Sequence, residues 1–275
     1  NMAKRFFQNR TAVFTTFAVL LIALIGIFAP VIAPNDPYET NIINKFASYS
    51  VQYPLGTDQL GRCVISRMIF GIRPTLGLAA LTMAGTIGIG AVLGIIAGYF
   101  RGIAEEIIMR IVDVMLSFPS QIMVFAVVAL LGVSVQNVII ANVFIKWAWY
   151  ARMIRTGVMQ YRDKNFVQFS RCVGKPERFI LFRHLLPSIT SDLAVLASLD
   201  IGWAIINIST LSFLGLGVQA PTPEWGAMLN EAKEVLTRNP TQMLAPGIAI
   251  VALVCCFNLL GDAMRDVLDP KEVAK

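Results

Sequence analysis

Apolar stretches separated by short polar and charged segments account for most of the chain. Six stretches carry few or no charges, and they approach or exceed the roughly 20 residues that a helix needs to cross the core of a bilayer. They run over about 11–33, 76–100, 107–131, 137–150, 189–216 and 242–260. The pattern predicts an all-α polytopic membrane protein with six transmembrane helices.

The first stretch follows a short basic segment, residues 1–10, and this arrangement resembles a signal peptide. Its apolar part is longer than the roughly 7 to 15 residues of a signal-peptide core, and no convincing small-residue cleavage site follows it. We expect a retained membrane anchor, so that residues 11–275 form one transmembrane domain.

The composition narrows the range of functions. Hydrophobic residues make up 56% of the 275 residues and charged residues 15%, against roughly 25% charged residues in a soluble domain. A soluble enzyme, a secreted disulfide scaffold and a disordered chain are therefore nearly excluded. The four cysteines and one histidine have no metal-ligand or disulfide spacing. We expect no metal site, no cofactor and no catalytic residue.

The distribution of basic residues predicts the orientation. The net charge of +6 is spread among the apolar runs, as at the edges of membrane helices, which argues against a nucleic-acid partner. With the N-terminus inside, sixteen of the 23 lysines and arginines fall in inner segments and six in outer ones. Because cytoplasmic segments hold the excess, we expect both termini inside, a cytoplasmic loop at 152–188 and outer loops at 34–75 and 217–241.

Glycines and prolines mark special positions in three of the stretches. Gly90, Gly94 and Gly98 recur every four residues and so form a small-residue stripe of the kind that lets helices approach closely in lipid. We expect this stripe to contact another helix of this chain or of a partner. Pro119 and Pro246 are expected to bend or break their helices.

A charged segment in the cytoplasmic loop has the pattern of two short amphipathic helices. Gly174 is expected to end the first helix and Pro187 the second. Apolar side chains share one face on each side of the glycine, at Phe166, Phe169 and Val173 and again at Phe179, Phe182 and Leu186. An aromatic face rimmed by arginines calls for a partner surface or the lipid interface. Since lying on a membrane requires no break, the pattern favours a docking site for a cytoplasmic protein.

This segment resembles the EAA loop of the permease subunits of bacterial ATP-binding cassette (ABC) importers. The matching positions are Gln168, Phe169, Ser170, Gly174 and Leu186-Pro187, of which the first three depart from the family consensus. The resemblance implies that the loop sits in a groove of an ATPase subunit. The implied anchors are Phe166, Phe169 and Phe179, and the implied rim or lipid-phosphate contacts are Arg171, Arg178 and Arg183.

Three further motifs resemble signatures of the dipeptide, oligopeptide and nickel permeases. They cover 54–76, 211–226 and 258–270, with Cys63 where the family usually has aspartate. The resemblance implies the type I ABC importer permease fold. The implied partners are a second homologous permease, two ATPase subunits, an extracytoplasmic binding protein and membrane lipid. The chain contains no G-x-x-x-x-G-K-[ST] sequence, so ATP is expected to bind another chain.

Ionisable groups inside the apolar stretches cost about 2.5–3.5 kcal/mol each on insertion scales and tend to face a wet path or the bundle interior. The candidates are Asp113, Lys146, Asp192 and Asp200. Asp113 has Arg110 one helical turn away to pair with, and Lys146 lies among tryptophans that suit a snorkelling lysine. We expect Asp200, and Asp113 where it is not paired, to line a translocation path.

In the outer loop 217–241, Thr222 and Pro223 are expected to begin a short helix. The family resemblance implies that a binding protein docks near this helix. The expected contacts are Glu224, Trp225 and Glu231, with solvated charge as the alternative for the glutamates, and the outer segment 35–73 is a second candidate.

The segments 147–155 and 199–202 resemble nickel-type members more than dipeptide-type ones. A bare transition-metal ion favours imidazole or thiolate ligands, whereas the single histidine, His184, falls in the cytoplasmic loop. We therefore expect the metal to pass as a chelate. A di- or oligopeptide importer is the rival interpretation, and an ATP-independent channel or a membrane enzyme is the alternative from another class.

Overall fold

The computed structural model describes the backbone of residues 2–268 and the side chains of residues 5–190 and 193–268. The third signature motif and the expected cytoplasmic C-terminus extend beyond the described residues. Within them the α-helices are α1 (Met2–Gln8), α2 (Arg10–Ile27), α3 (Ala29–Ile32), α4 (Val64–Phe100), α5 (Gly102–Ser117), α6 (Ser120–Leu131), α7 (Val135–Arg162), α8 (Asn165–Cys172), α9 (Glu177–Ile180), α10 (Leu186–Phe213), α11 (Trp225–Ala232) and α12 (Thr241–Leu268).

Short helical turns of other kinds complete the described part of the chain. Two are 3-10 turns, at Ile42–Asn44 and Lys233–Val235, and one is a π-helical turn at Leu181–Leu185. Extended structure among the described residues is limited to a single bridge between Thr57 and Cys63. The predicted all-α class is confirmed.

Four helices are long and apolar enough to cross a membrane, namely α2, α4, the Leu193–Phe213 part of α10, and α12. The pair α5 and α6 is bent by 93° and adds a fifth crossing if it forms one broken span. The predicted count of six is not confirmed. The difference lies in α7, which is 28 residues long but carries Lys146 and three arginines along its length.

The prolines differ in their effect on the helices. The predicted bend at Pro119 is confirmed, since α5 ends at Ser117 and α6 begins at Ser120. By contrast α12 continues through Pro246 without a break. Helix α4 likewise contains Pro74 and begins at Val64, about three turns before the predicted start of that stretch. The charged residues before Pro74 had suggested a loop.

The segment after Gly174 also differs from its prediction. Pro187 does not end a helix but lies in the first turn of α10, directly after the π-helical turn. A proline is tolerated in a first turn because its missing N–H would have no intrahelical partner there. The chain is therefore helical from Glu177 through Phe213, so the end of the predicted cytoplasmic loop passes into α10 without a non-helical break.

The centre of the bundle is the contact between α4 and α7, where the glycine stripe lies. A Cβ added at Gly94 would come within 2.6 Å of the carbonyl oxygen of Ala151 and 2.9 Å of the Cβ of Ile154. At Gly90 it would meet the Cβ of Tyr150 at 2.5 Å, and at Gly98 the carbonyl oxygen of Arg155 at 2.9 Å. The stripe thus faces α7 of the same chain. Helices α2, α10 and α12 pack around this pair.

Candidate functional site

The segment from α8 through the π-helical turn forms a bent arm, which we call the elbow (residues 165–187). Its bend is at Gly174, which has φ of +75°, a left-handed conformation that glycine adopts without steric cost. The inner side holds the elbow to the bundle through Val167, Ile180 and Leu185, which are all fully buried. The elbow is therefore a packed, well-defined element and not a free loop.

The outer side of the elbow is aromatic and exposed. Phe169 and Phe182 are each 70% exposed, and Phe166 and Phe179 about half as much. Val173 is exposed as well. Because large apolar side chains are seldom grouped on a polar surface without a partner, this face is a candidate surface for binding another protein.

His184 joins the two limbs of the elbow. Its Nε2 lies 2.9 Å from the hydroxyl oxygen of Ser170 on α8, and its ring packs edge-on against the rings of Phe166 and Phe179 at centroid distances of 5.6 and 5.4 Å. This contact between the two limbs of the elbow was not predicted for His184. The helical spacing of aromatic residues on both sides of Gly174 was the signal that could have placed it.

The other predicted coupling residues have local partners or face solvent. The side-chain amide of Gln168 donates to the carbonyl oxygen of Asp163 at 3.2 Å, and the guanidinium of Arg171 lies over the ring of Tyr99 at 5.2 Å. Arg183 and Pro187 are exposed. The structure thus gathers the predicted residues in one arm, but turns Arg171 inward, toward α4.

Two predicted intramembrane charges are paired with each other. The ammonium of Lys146 on α7 lies 3.3 Å from Oδ1 of Asp200 on α10. The same ammonium lies over the indole rings of Trp149 and Trp203 at 4.8 and 4.3 Å. Lys146 therefore does not snorkel away from the bundle, as the alternative interpretation had it, but is held between an acid and two aromatic faces.

Asp113 has a different partner from the one considered. It forms an ion pair with Arg152 on α7, whereas Arg110 lies 4.0 Å from Glu106 on its own helix. Pairing of Asp113 with Arg110 is therefore wrong. The side chain of Asp192 lies outside the described residues.

A cluster of four charges lies where the chain enters α4, between the loop before that helix and α11. Asp58 Oδ2 contacts Arg62 Nε at 2.7 Å and Arg67 Nη1 at 2.8 Å. Glu231 Oε2 of α11 contacts Arg62 Nη2 at 2.5 Å and Arg67 Nη1 at 2.6 Å. All but Glu231 are buried. This cluster was not predicted, and its only signal in the sequence is the density of charges in the motif 54–76.

Glu224 and Trp225 are buried, at odds with their expected role as contacts for a docking protein. Glu224 is fully buried and is the N-cap of α11, accepting bonds from the backbone N–H groups of Gly226 at 2.9 Å and Ala227 at 2.8 Å. The indole N–H of Trp225 donates to the carbonyl oxygen of Met68 at 3.0 Å. Glu231 is engaged in the charge cluster.

These contacts fasten α11 to α4. The predicted cap at Thr222 lies two residues too early, because Glu224 supplies both acceptor oxygens. Burial raises the pKa of Glu224. The hydrogen bonds that its carboxylate accepts from two backbone N–H groups oppose this shift without cancelling it. Helix α11 is thus an internal part of the fold.

Within the described residues, no group of three or more His, Cys, Asp or Glu side chains has a geometry that could hold a metal ion. The charged groups that come together are instead acid–base pairs. The arrangement suits a membrane bundle with an exposed docking arm at one end and a polar pair in its middle.

Comparison with known families agrees with this description. Residues 90–273 match the family model described as binding-protein-dependent transport system inner membrane component. Residues 1–49 match the N-terminal transmembrane domain of oligopeptide transport permease C. The first match covers more than half of the chain. The chain therefore belongs to this family, and it is a membrane-integral permease subunit of an ABC importer.

Three curated relatives illustrate the range of this family. The chain is 42% identical over 272 residues to the metal-staphylopine import system permease protein CntC of Staphylococcus aureus, covering 99% of this chain and 94% of the relative. It is 40% identical over 257 residues to the nickel transport system permease protein NikC of Escherichia coli, with coverage of 94% and 93%. It is 37% identical over 268 residues to the dipeptide transport system permease protein DppC of Alkalihalophilus pseudofirmus, with coverage of 98% and 88%.

Among solved structures, the chain resembles the MetNI methionine ABC transporter in an inward-facing conformation. The TM-score is 0.61 at 20% sequence identity, over 74% of this chain and 98% of that one. At this identity the likeness concerns the fold alone. It confirms the type I importer permease fold expected from the sequence.

Proposed function

We propose that the chain forms half of the translocation path of an ATP-driven importer that carries nickel or a related metal as a small chelate. The observation that carries the proposal is the elbow, whose buried inner side fixes it to the bundle while its outer side exposes four phenylalanines. Such an arm can transmit a movement because it is continuous with α10. The chain would thereby receive the work of ATP hydrolysis from another subunit.

The partners follow from this arrangement. Two ATPase subunits would bind beneath a pair of permeases, with Phe166, Phe169 and Phe179 of this chain as anchors in one ATPase groove. The second permease would be a homologue of this chain. Both termini and the elbow would be cytoplasmic, since sixteen of the 23 basic residues lie in segments assigned to that side. An extracytoplasmic binding protein would deliver the cargo to the opposite face.

The path would pass the pair of Lys146 and Asp200. Both residues lie near the middle of their helices. An ionisable group is costly at this depth, so its presence usually marks a functional site. Asp200 also interacts with the phenol of Tyr150 on α7, so the pair belongs to a larger polar group inside the bundle. Asp113 is the weaker candidate for lining the path, because it forms an ion pair with Arg152.

The cargo is proposed from the relatives and from ligand chemistry. Metal-staphylopine and nickel import are named for two relatives, at 42% and 40% identity. A bare metal ion needs a series of imidazole or thiolate ligands, and the sequence has a single histidine. A chelate brings its own ligands. The dipeptide permease relative, at 37% identity, keeps peptide import as the second candidate.

Reconstitution of the complete complex into vesicles tests this function. Uptake of nickel is measured with the metal free and with it chelated, each with and without ATP, and a labelled dipeptide is the parallel cargo. We expect ATP-dependent uptake of the chelate only. Uptake of free nickel would contradict the proposal that the metal passes as a chelate. Uptake of the dipeptide alone would favour a peptide importer. Uptake without ATP would indicate a channel.

A further inference from the structure

Two arginines from different elements converge on one aromatic ring at the end of the bundle that carries the elbow. The buried ring of Tyr99, near the end of α4, has the guanidinium carbon of Arg162 at 5.8 Å and that of Arg171 at 5.2 Å. Arg162 is the last residue of α7, and Arg171 belongs to α8 of the elbow. Three separately packed helices thus meet at one strongly basic point.

The nearby carboxylates are already used by other arginines. Asp163 pairs with Arg101 at 3.3 Å, and Glu105 pairs with Arg155. In the described part of the chain, neither Arg162 nor Arg171 has an ion-pair partner. The cluster therefore carries positive charge that its own surroundings do not neutralise.

Arg162 has donors with nothing to bind. Its Nε and Nη1 atoms are buried and lack a hydrogen-bond partner. Burial, together with the charges of Arg101 and Arg171, lowers the pKa of Arg162. A buried, unsatisfied donor is expensive, and more so when it is charged. Two charged N–H donors are thus available to an anion at this point.

We propose that Arg162 and Arg171 bind the phosphate group of an anionic phospholipid in the cytoplasmic leaflet. A guanidinium matches a phosphate through paired N–H···O bonds, and basic pockets on the cytoplasmic side of membrane helices take lipid head groups. Helix α7 is about 42 Å long at 1.5 Å per residue, which places its last residue beyond a hydrocarbon core of about 30 Å, near the phosphates. This site rests on the cytoplasmic orientation in the proposed function.

The site would make coupling depend on lipid. A phosphate held by both arginines would connect the elbow, through Arg171, to α7 and to Tyr99 on α4. The arm that receives the movement of the ATPase would then be braced against the two central helices. Without the phosphate, contacts with the ring of Tyr99 alone would hold the two guanidinium groups at this point.

The test compares the complete complex with variants in this chain, purified from membranes that contain phosphatidylglycerol. Retained lipid is counted by native mass spectrometry. We expect Arg162→Gln and Arg171→Gln each to lower retention about tenfold, the effect of losing one charge-assisted hydrogen bond. Arg162→Lys keeps the positive charge but loses the paired N–H donors of the guanidinium, so its lipid retention should lie between those of the wild type and Arg162→Gln. Arg238→Gln, an exposed arginine of the outer loop, is the control and should retain lipid as the wild type does.

A transport arm separates the site from the function on which it rests. In vesicles of phosphatidylcholine alone, wild-type ATP-driven uptake should fall several-fold, and added phosphatidylglycerol should restore it for the wild type but not for Arg162→Gln. Equal lipid retention by all variants would overturn the site, as would restoration by inorganic phosphate in place of lipid. If ATP-driven uptake is absent in every lipid, the proposed function fails instead.

Discussion

Lys146 of α7 and Asp200 of α10 form an ion pair of 3.3 Å near the middle of both helices, with the ammonium between the faces of Trp149 and Trp203. Neither side chain is more than 18% exposed. The pair is a polar contact between α7 and α10 inside the bundle, and it helps to fix how the two helices are oriented toward each other. Its charges balance, which limits the cost of placing them in the membrane.

Removing one member of the pair should cost more than removing both. Asp200→Asn leaves the Lys146 charge without its counter-ion, and we expect a loss of about 3 kcal/mol, the lower end for a broken buried pair. Lys146→Met combined with Asp200→Asn should recover most of it, because no charge remains. Thermal unfolding in detergent of the wild type, the two single variants Asp200→Asn and Lys146→Met, and the double variant gives the double-mutant cycle. Additive losses would show that the two residues do not interact.

The glycine stripe provides a matched pair of substitutions on one helix. Gly94→Ala places a Cβ within 2.6 Å of the backbone oxygen of Ala151, so α4 and α7 must separate, at a cost of about 1–3 kcal/mol. Gly88→Ala meets nothing within 4 Å and should stabilise α4 by about 0.5–1 kcal/mol, through the lower entropy of the unfolded chain. Melting temperatures in detergent give the change in stability for each variant. Equal changes at both positions would contradict the packing of α4 on α7.

The parts of this fold that could be predicted from sequence are those set by local chemistry. Apolar stretches give helices because the backbone must satisfy its own hydrogen bonds in lipid, and Pro119 bends its helix because it lacks an N–H. The turn at Gly174 likewise needs only the conformational freedom of glycine. None of these depends on a contact with a distant residue.

The parts that failed depend on pairing across the chain. The start of α4 at Val64 was missed because Arg67 looks like a loop residue until Glu231, 164 positions later, neutralises it. Glu224 looked solvated for the same reason, since its burial depends on Thr75 of α4 and on the helix that it caps. Sequence spacing contains no information about such partners, so Glu224 and Trp225 were expected to contact a docking protein, whereas they lie in an internal seam between α11 and α4.

The buried cap at Glu224 predicts that stability depends on pH through the start of α11. Because burial raises its pKa in the folded state, the folded chain holds a proton that the unfolded chain has lost. Stability at this site should therefore fall as the pH rises from the ordinary glutamate value through the raised one. Glu224→Gln removes this titration and one cap acceptor, at a cost of about 0.5–2 kcal/mol.

Melting temperatures of the wild type and Glu224→Gln across this pH range test the point. The advantage of the wild type over the variant should shrink as the pH rises. An advantage that grows with pH would mean that the two backbone N–H groups outweigh burial and hold Glu224 ionised. Glu234→Gln, an exposed glutamate of the same loop, is the control and should leave the profile unchanged.

The bend of the elbow predicts a specific loss of ATPase attachment. Gly174 has φ of +75° and open space around its Cβ position, so Gly174→Val acts through backbone strain of about 1–2 kcal/mol and not through a clash. We expect about 5- to 30-fold less ATPase subunit to co-purify with the chain, while membrane insertion is unchanged. Gly174→Asn should lose less, since asparagine tolerates this conformation. Gly215→Val carries the same strain at φ of +79° in the loop between α10 and α11 and should retain the ATPase. Equal losses at both glycines would mean that strain anywhere in the chain, and not the shape of the elbow, releases the ATPase.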